Sequence, residues 1–436
     1  MKELLYNLKG DKAIWTFVAL LALFSFMPVF SASSNLAYMN HGNGNTLTFL
    51  IVHLAHIFMG FIIIYFVHKV PYHYYRGITF FALLIVWGLL AFTLVKGTVI
   101  AGANASRWIK IPFIGITFQT STLASIVLML FVARYLSKNR EVPITFKASL
   151  IELWAPVFVT IALILPANLS TAALLFSMVL MLTFVGKYPL KYSALILGSG
   201  VVLLAIFIVL AKKFPDAFPN RVDTWISRID NFSKNKPGED DYQIEKAKIA
   251  IATGGIYGLG PGKSVQKNFL PQSSSDFIYA IIVEEWGLLG GCMVLLMYLL
   301  LLFRFVIAAH KTNSMYGKLL VIGLGFPMIF QAMVNMAVAV ELFPVTGQTL
   351  PLISSGGSSI WMTCIALGII LSVTKKEEEI IQELKENEER NAILQRMIDE
   401  QKAKEEAMEL QANEEFDADY SIEEATVNPM NAVKNK

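Results

Sequence analysis

Apolar runs of about 20 residues, each long enough to cross a hydrocarbon layer, recur through the first 374 positions of this chain. Their windows lie near 13–32, 47–69, 77–96, 117–136, 148–166, 168–187, 190–211, 277–306, 317–340 and 358–374, which makes ten expected spans. Only Pro166, Ala167 and Asn168 part the fifth window from the sixth, where a tight turn and a broken helix read alike. The fold class expected is therefore all-α, a polytopic membrane bundle of about ten helices with a long extracytoplasmic loop between the seventh and eighth. Hydrophobic residues form 55% of the chain and charged ones 16%, which excludes a soluble domain of ordinary composition.

Lys and Arg in short loops gather on the cytoplasmic side of a membrane. Lys69, Arg76, Arg134, Lys138, Arg140, Lys147, Lys187, Lys191, Arg304, Lys311 and Lys318 fall in alternate loops, and Lys375 and Lys376 follow the last span. Both termini are thus expected in the cytoplasm, with the loops 33–46, 97–116 and 212–275 outside. The first apolar run, from about Ile14, lacks a small-residue cleavage pattern and reads as a retained helix rather than a removed signal. A net charge of +3 gives no case for nucleic acid as a partner. Cys292 and Cys364 lie in apolar runs and read as buried small hydrophobes, not as a disulfide framework.

From Lys375 the composition turns charged. Ile380, Ile381, Leu384, Ile393, Leu394, Met397 and Ile398 recur at near-helical spacing up to about Gln411, so a solvated amphipathic helix is expected there and a disordered end from Ala412.

Polarity is otherwise concentrated at four places. At the first, from Ser273 to Gly287, Asp276 stands at the mouth of an apolar segment that then carries Glu284 and Glu285. Ionisable groups at a membrane edge are costly to keep and point to chemistry or transport. The two glutamates are adjacent, so one is expected to face a cavity and the other a neighbouring helix. At the second, Arg107 beside Trp108 suits a phosphate and a stacked sugar, and equally an aromatic-belt anchor with a snorkelling arginine.

The third is the loop holding Arg228, Asp240, Asp241, Tyr242, Gln243 and Lys246, followed by the glycine-rich stretch Gly254 to Ser264. That stretch ends Gly262-Lys263-Ser264 like a phosphate-binding loop, but the first glycine of such a motif falls on Tyr257. A close backbone approach to another loop or to a ligand explains these glycines better. The fourth is the breaker-rich run Phe343 to Ser359, which is expected to line the same outward cavity as Asp276, because irregular backbone at membrane depth is tolerated only when buried or lining water. Gln331 and Asn335, one turn apart on the preceding span, suit hydrogen bonds within the bundle.

Over about residues 10–375 these segments resemble the SEDS family (shape, elongation, division and sporulation). The resemblance is carried by Gly102 to Trp108, by Tyr242-Gln243 with Gly254-Gly255 and Gly258 to Gly260, by Asp276 to Ala280 with Glu284, Glu285 and Gly287, and by Pro344 to Ser359. It implies a peptidoglycan glycosyltransferase of the cell-division branch. Such an enzyme polymerises lipid II on the outer face of the cytoplasmic membrane, beside a class B penicillin-binding protein and other divisome proteins. It maps the residue essential for polymerisation onto Asp276, as general base. It maps the family's Arg-Trp pair onto Arg107 and Trp108. Beside that mapping, Arg107, Arg228, Lys246 and Lys263 are the candidate charges for a departing pyrophosphate, and Gln119, Gln243, Glu284, Glu285, Ser354 and Ser355 are further candidate substrate contacts. A divalent cation sharing the pyrophosphate charge is expected, and no nucleotide. A lipid II flippase, a non-catalytic divisome scaffold and the elongation branch of the same family are the alternative readings.

The chain departs from the family pattern in two places. Gln119 to Ser125 has Thr122 and Ser125 where a glutamate and a lysine are usual, and Pro166 to Thr171 has Asn168 in an acid's place. Loss of both charges together reads as removal of a buried pair, which is often near break-even against uncharged substitutes; the alternative is that the pair helps catalysis and this chain is a weaker polymerase.

Single cysteines introduced at positions 212–275, in a chain with Cys292 and Cys364 replaced, are expected to react with an impermeant thiol reagent added outside. Labelling only after permeabilisation would overturn the ten-span frame.

Overall fold

The computed structural model describes residues 8–39, 46–97, 108–110, 117–213, 225, 239–270, 273–375 and 385–408. The chain divides into two compact units, Met1–Thr374 and Lys375–Lys436.

The first unit is built of helices α1 (Lys12–Met39), α2 (Thr46–Lys69), α3 (His73–Lys96), α4 (Thr120–Lys138), α5 (Phe146–Ile164), α6 (Leu169–Val185), α7 (Leu190–Lys213), α8 (Glu239–Gly254), α9 (Ile278–Lys311), α10 (Met315–Ala339) and α11 (Ser358–Val373). Eight of these are long and apolar enough to cross a membrane, and α6 and α11 are shorter apolar helices. Together they account for the ten expected spans, and the chain is a membrane protein. In α4 and α10 two-thirds of the apolar window (67%) is buried, against 6% in α7, so the first two are central and α7 is peripheral. Cys364 is buried as expected, but Cys292 lies on the exposed face of α9 and is corrected to an outward-facing residue.

Small residues let α2 and α11 pack closely. On α2, a Cβ at Gly60 would come within 2.7 Å of the Cys364 Sγ on α11, and on α11 a Cβ at Gly368 would come within 2.7 Å of Val67. Glycine at both places lets the two backbones approach, as in membrane helix pairs generally.

One end of the bundle is tied by Asp11. Its carboxylate pairs with Arg304 near the end of α9 (2.5 Å), and its N–H donates to the Thr374 hydroxyl (3.0 Å) after α11. The start of α1, the end of α9 and the end of α11 therefore share one side. An α9 of 34 residues is about 50 Å long against about 30 Å of hydrocarbon. Counting about 20 residues back from Arg304 reaches Glu284 and Glu285, which sets these glutamates near the opposite boundary and Asp276 beyond it.

At that opposite end lie elements the apolar windows do not announce. Strand β1 (Trp108–Lys110) pairs antiparallel with β2 (Thr117–Gln119), aligning Trp108 with Gln119. Helix α8 lies within the long loop and buries Ile244, Ala247 and Ala250 against Phe277, Ala280 and Ile281 of the α9 region and Val334, Val338 and Ala339 of α10. Buried positions three apart make one apolar stripe, which is why this otherwise polar segment is helical. A tight turn joins α5 to α6, and Asn168 caps α6 by accepting from the Thr171 N–H (3.2 Å).

The chain after α8 then folds onto α9. Gly287 inside α9 has φ +68° and ψ −174°, so the helix breaks there. The groups freed by the break find partners in the glycine-rich stretch. Leu259 N–H donates to the Glu284 carbonyl (2.9 Å), Gly260 N–H to the Glu285 carbonyl (2.9 Å), Leu288 N–H to the Gly255 carbonyl (2.9 Å) and Leu289 N–H to the Ile256 carbonyl (3.3 Å). A Cβ on Gly254 or Gly287 would lie 2.1 Å from a carbonyl oxygen of the facing segment, and one on Gly258 would lie 2.3 Å from the Glu285 carbonyl. The glycines thus serve backbone approach, to a helix of the same chain.

In the second unit, residues 385–408 form a helix with Ile393, Leu394, Met397 and Ile398 exposed. Ile380, Ile381, Leu384 and the segment from Ala412 lie outside the described residues.

Gly258→Ala is expected to lower stability by about 3 kcal/mol, because it adds both a clash and a left-handed strain. Gly255→Ala, where φ is +53° but no atom lies within 4 Å, is expected to cost about 1 kcal/mol. Thermal unfolding of the purified protein in detergent reads the difference, and equal losses would contradict docking as the role of Gly258.

Candidate active site

The site is assembled on the breaker-rich loop between α10 and α11. Its backbone is pinned from three helices. Gln331 of α10 donates from Nε2 to the Thr349 carbonyl (2.8 Å), Tyr298 of α9 donates to the Pro351 carbonyl, and Gln348 donates from Nε2 to the Thr171 hydroxyl on α6 (3.0 Å). The chain entering α9 joins the same loop. The Ser354 hydroxyl donates to the Ser275 carbonyl (2.6 Å) and accepts from the Leu350 N–H (2.7 Å), while the Ser355 N–H donates to the Ser274 carbonyl (2.9 Å).

Asp276 sits between these strands of contact, half-buried, immediately before α9. A Cβ on Gly347 would lie 3.5 Å from Asp276 Oδ2, an ordinary van der Waals distance, so the carboxylate lies beside that glycine, whose φ of +65° suits no ordinary side chain. Asn335 of α10 donates from Nδ2 both to the Asp276 carbonyl and to the Gln348 carbonyl, each at 2.7 Å.

The hairpin reaches this loop from its other side. Gln119 N–H donates to the Ser358 hydroxyl at the start of α11 (3.3 Å), and Gln119 Nε2 donates to the Ser121 hydroxyl (3.1 Å). Trp108 is paired across the hairpin with Gln119. A small, mostly apolar cavity lies next to this point between α3, α4 and the α5–α6 turn, with Thr93, Thr120, Ser121 and Asn168 among its walls. The two hydroxyls that stand in for the usual charged pair are bonded within their own helix region, Thr122 to the Gln119 carbonyl (2.7 Å) and Ser125 to the Ser121 carbonyl (2.9 Å). They leave no charge there in want of a counterion.

Glu284 and Glu285 correct an expectation. Neither faces a cavity: both are buried, at 0% and 1% exposure. Glu284 accepts from the Ser264 hydroxyl, from Val265 N–H (2.9 Å) and from Gln266 N–H (3.2 Å). It thereby neutralises the N–H groups that open the short 3-10 turn Gln266–Asn268. Glu285 accepts from the Ser31 hydroxyl of α1, with Ser264 N–H at 3.4 Å. Lys267 donates from Nζ to the Ser31 hydroxyl (3.2 Å) and to the Gly262 carbonyl (2.8 Å). The physical reason is the break at Gly287: it brings a folded-back loop over both side chains, so adjacent positions on α9 need not point to opposite surroundings.

The remaining described candidates lie on α8 and on the stretch that follows it. Lys246 is half-buried, with Nζ 5.2 Å from the Tyr242 ring and 5.8 Å from the Phe269 ring, a cation over two aromatic faces. Gln243 is half-buried on α8, and Lys263 is exposed with its stem over Gly260. Lys248 pairs with Glu341 at 2.5 Å on the surface, linking α8 to the end of α10. Arg107 and Arg228 lie outside the described residues. Among the described residues no group of three or more His, Cys, Asp or Glu side chains converges as a metal-binding set. Two contacts leave little mark in the sequence, that of Ser31 with Glu285 and the paired hydrogen bonds of Asn335 to the Asp276 and Gln348 carbonyls; the one signal for the second is a carboxamide in an otherwise apolar span.

Comparison with known proteins fits this geometry. A family model described as cell cycle protein, covering FtsW, RodA and SpoVE, matches residues 11–379. The protein named probable peptidoglycan glycosyltransferase FtsW of Thioalkalivibrio sulfidiphilus is 30% identical over 367 residues, 83% of this chain and 89% of that one. Stage V sporulation protein E of Bacillus subtilis is 28% identical over 319 residues, 73% of this chain and 84% of that one. Among solved structures, a chain from a study of the coordination of polymerization and crosslinking by a peptidoglycan synthase complex matches with a TM-score of 0.64 at 24% identity, covering 84% of this chain and 97% of that one. The rod shape determining protein RodA of Thermus thermophilus matches at 0.60 and 23%, covering 84% of this chain and 96% of that one. The two structures share the fold.

Proposed function

This chain belongs to the cell cycle protein family of FtsW, RodA and SpoVE, and from that premise we propose that it is a peptidoglycan glycosyltransferase that polymerises lipid II into septal glycan strands. The observation that carries this reading is the Asp276 carboxylate, held against Gly347 at the outer end of the bundle where the loop before α11, the α9 entry and the Trp108 hairpin meet. The names of the FtsW relatives support the same activity and favour the division branch.

In the proposed step the acceptor sugar hydroxyl attacks the anomeric carbon of the lipid-linked donor. A carbon–oxygen bond forms there, the bond to the pyrophosphate oxygen breaks, and the pyrophosphate leaves on its lipid with the electron pair. Asp276 takes the hydroxyl proton, work for which a positioned base is worth about 100- to 10,000-fold in rate. Trp108 and Gln119 offer a stacking face and a carboxamide to the sugars, and the exposed hydroxyl of Ser355 lies beside the same loop. Cationic charge for the pyrophosphate is assigned to Arg107, Arg228, Lys246 and Lys263. A divalent cation, where one is used, would neutralise pyrophosphate charge alongside these side chains, although among the described residues no set of three or more His, Cys, Asp or Glu side chains converges to hold it. Glu284 and Glu285 are assigned to holding the outer loop rather than to substrate.

The orientation proposed has both ends of the membrane unit in the cytoplasm, supported by the shared side of Asp11, Arg304 and Thr374 and by the basic loops. The active face is then extracytoplasmic, at the division septum. A class B penicillin-binding protein that crosslinks the strand is the proposed partner, supported by the fold match to a chain of a peptidoglycan synthase complex.

Asp276→Asn is expected to abolish glycan strands from lipid II by at least about 100-fold, with folding and partner binding unchanged. The measurement is polymerisation by the purified protein, alone and with its class B partner. Equal activity in mutant and wild type would remove Asp276 as the base, and no activity in either despite an intact complex would favour a scaffold.

A further inference from the structure

Asn335 is 1% exposed and lies on α10, one turn from Gln331. Both residues reach the loop before α11, but only Asn335 also reaches the Asp276 segment. Its carboxamide orientation is fixed by chemistry. The two atoms it meets at 2.7 Å are carbonyl oxygens, which accept only, so the nitrogen must face them. One –NH2 group therefore uses both of its protons to tie the Asp276 carbonyl to the Gln348 carbonyl.

Those two carbonyls flank the site on either side. Asp276 carries the carboxylate, and Gln348 follows Gly347, beside which that carboxylate lies. With φ at +65°, Gly347 has a wide range of backbone conformations open to it, so the contact needs an external constraint to persist. Asn335 supplies one, from the most buried part of the bundle. Its Oδ1 has no hydrogen-bond partner among the described residues. A buried acceptor left unpaired is unfavourable, and an apolar side chain at this position would avoid it.

We propose that Asn335 is a positioning residue for polymerisation, clamping the Asp276 segment to the Gly347–Gln348 turn so that the carboxylate is held at the acceptor hydroxyl. This rests on Asp276 as the base, and it adds a requirement that the proposed function does not contain. Asn335 touches no substrate. Its effect is on the placement of the Asp276 carboxylate, to which rate is sensitive over shifts of about 1 Å.

The test compares Asn335→Ala, the near-isosteric Asn335→Asp and Gln331→Ala in the full-length protein, with lipid II as substrate. Gln331→Ala loosens the same loop one turn away without touching the Asp276 segment, so it matches the structural disturbance. Rates are taken per folded molecule. Both Asn335 variants are expected to lose at least about 10-fold in kcat with KM within about twofold, and to move the acid limb of the pH–rate profile. Gln331→Ala is expected to lose at least about fivefold less and to leave the limb in place. Should Asn335→Ala not fold, Asn335→Asp carries the comparison, since it keeps the volume and loses at least one of the two donors, so that it cannot tie both carbonyls. Equal kcat losses at positions 335 and 331, or an unmoved limb in the Asn335 variants, would overturn the proposal while leaving Asp276 as the base. Full activity in Asp276→Asn would instead remove the base itself, and the clamp with it.

Discussion

The half of the bundle that carries Asp276 depends on one break in one helix. At Gly287 the α9 backbone leaves helical geometry, and four of its peptide groups are bonded by the stretch that follows α8. Left unpaired at the edge of hydrocarbon, each such group is unfavourable by several kcal/mol. The break is therefore sustained only while the glycine-rich stretch is docked, and the stretch docks only because Gly254, Gly258 and Gly287 carry no Cβ. Helix and loop each satisfy the other.

Two buried carboxylates extend this mutual dependence. Glu284 takes three donors from Ser264, Val265 and Gln266, and Glu285 ties the same loop to Ser31 on the first helix. Truncating a buried charged acceptor leaves its donors unpaired, which makes these contacts costly to break even where their net contribution is small. The consequence for function is rigidity just inside the site. The segment leading into α9 is fixed from below by this cluster and from the side by Asn335, Ser354 and Ser355, and Asp276 stands on it. A base placed by packed helices is better positioned than one on an unsupported loop.

The membrane frame was legible in the sequence because hydrocarbon imposes a length and a polarity on every span. Asp276, Gly254 to Gly260 and the run before α11 were legible as departures from that frame. Other features left weaker marks. Three residues in each strand of the hairpin are too few for a period to register, and α8 has its apolar stripe inside a polar segment. The roles of Glu284 and Glu285 were misread because a continuous helix was assumed, on which neighbours diverge. The docking that turns both inward is made by backbone groups, and these have no side-chain signature beyond glycine. Asn335 was visible as a carboxamide in an apolar helix, but what it joins depends on three segments far apart in sequence.

The central claim is that the Asp276 carboxylate, seated on Gly347, faces the reacting hydroxyl. The most direct measurement is an experimental structure of the full chain with its class B partner and a non-reactive lipid II analogue. The account expects the acceptor hydroxyl within about 2.6–3.2 Å of an Asp276 oxygen, or one water away, with the sugar beside Trp108 and Gln119. An analogue bound with its acceptor hydroxyl out of reach of Asp276, and Glu284 or Glu285 turned out to meet it, would contradict the account.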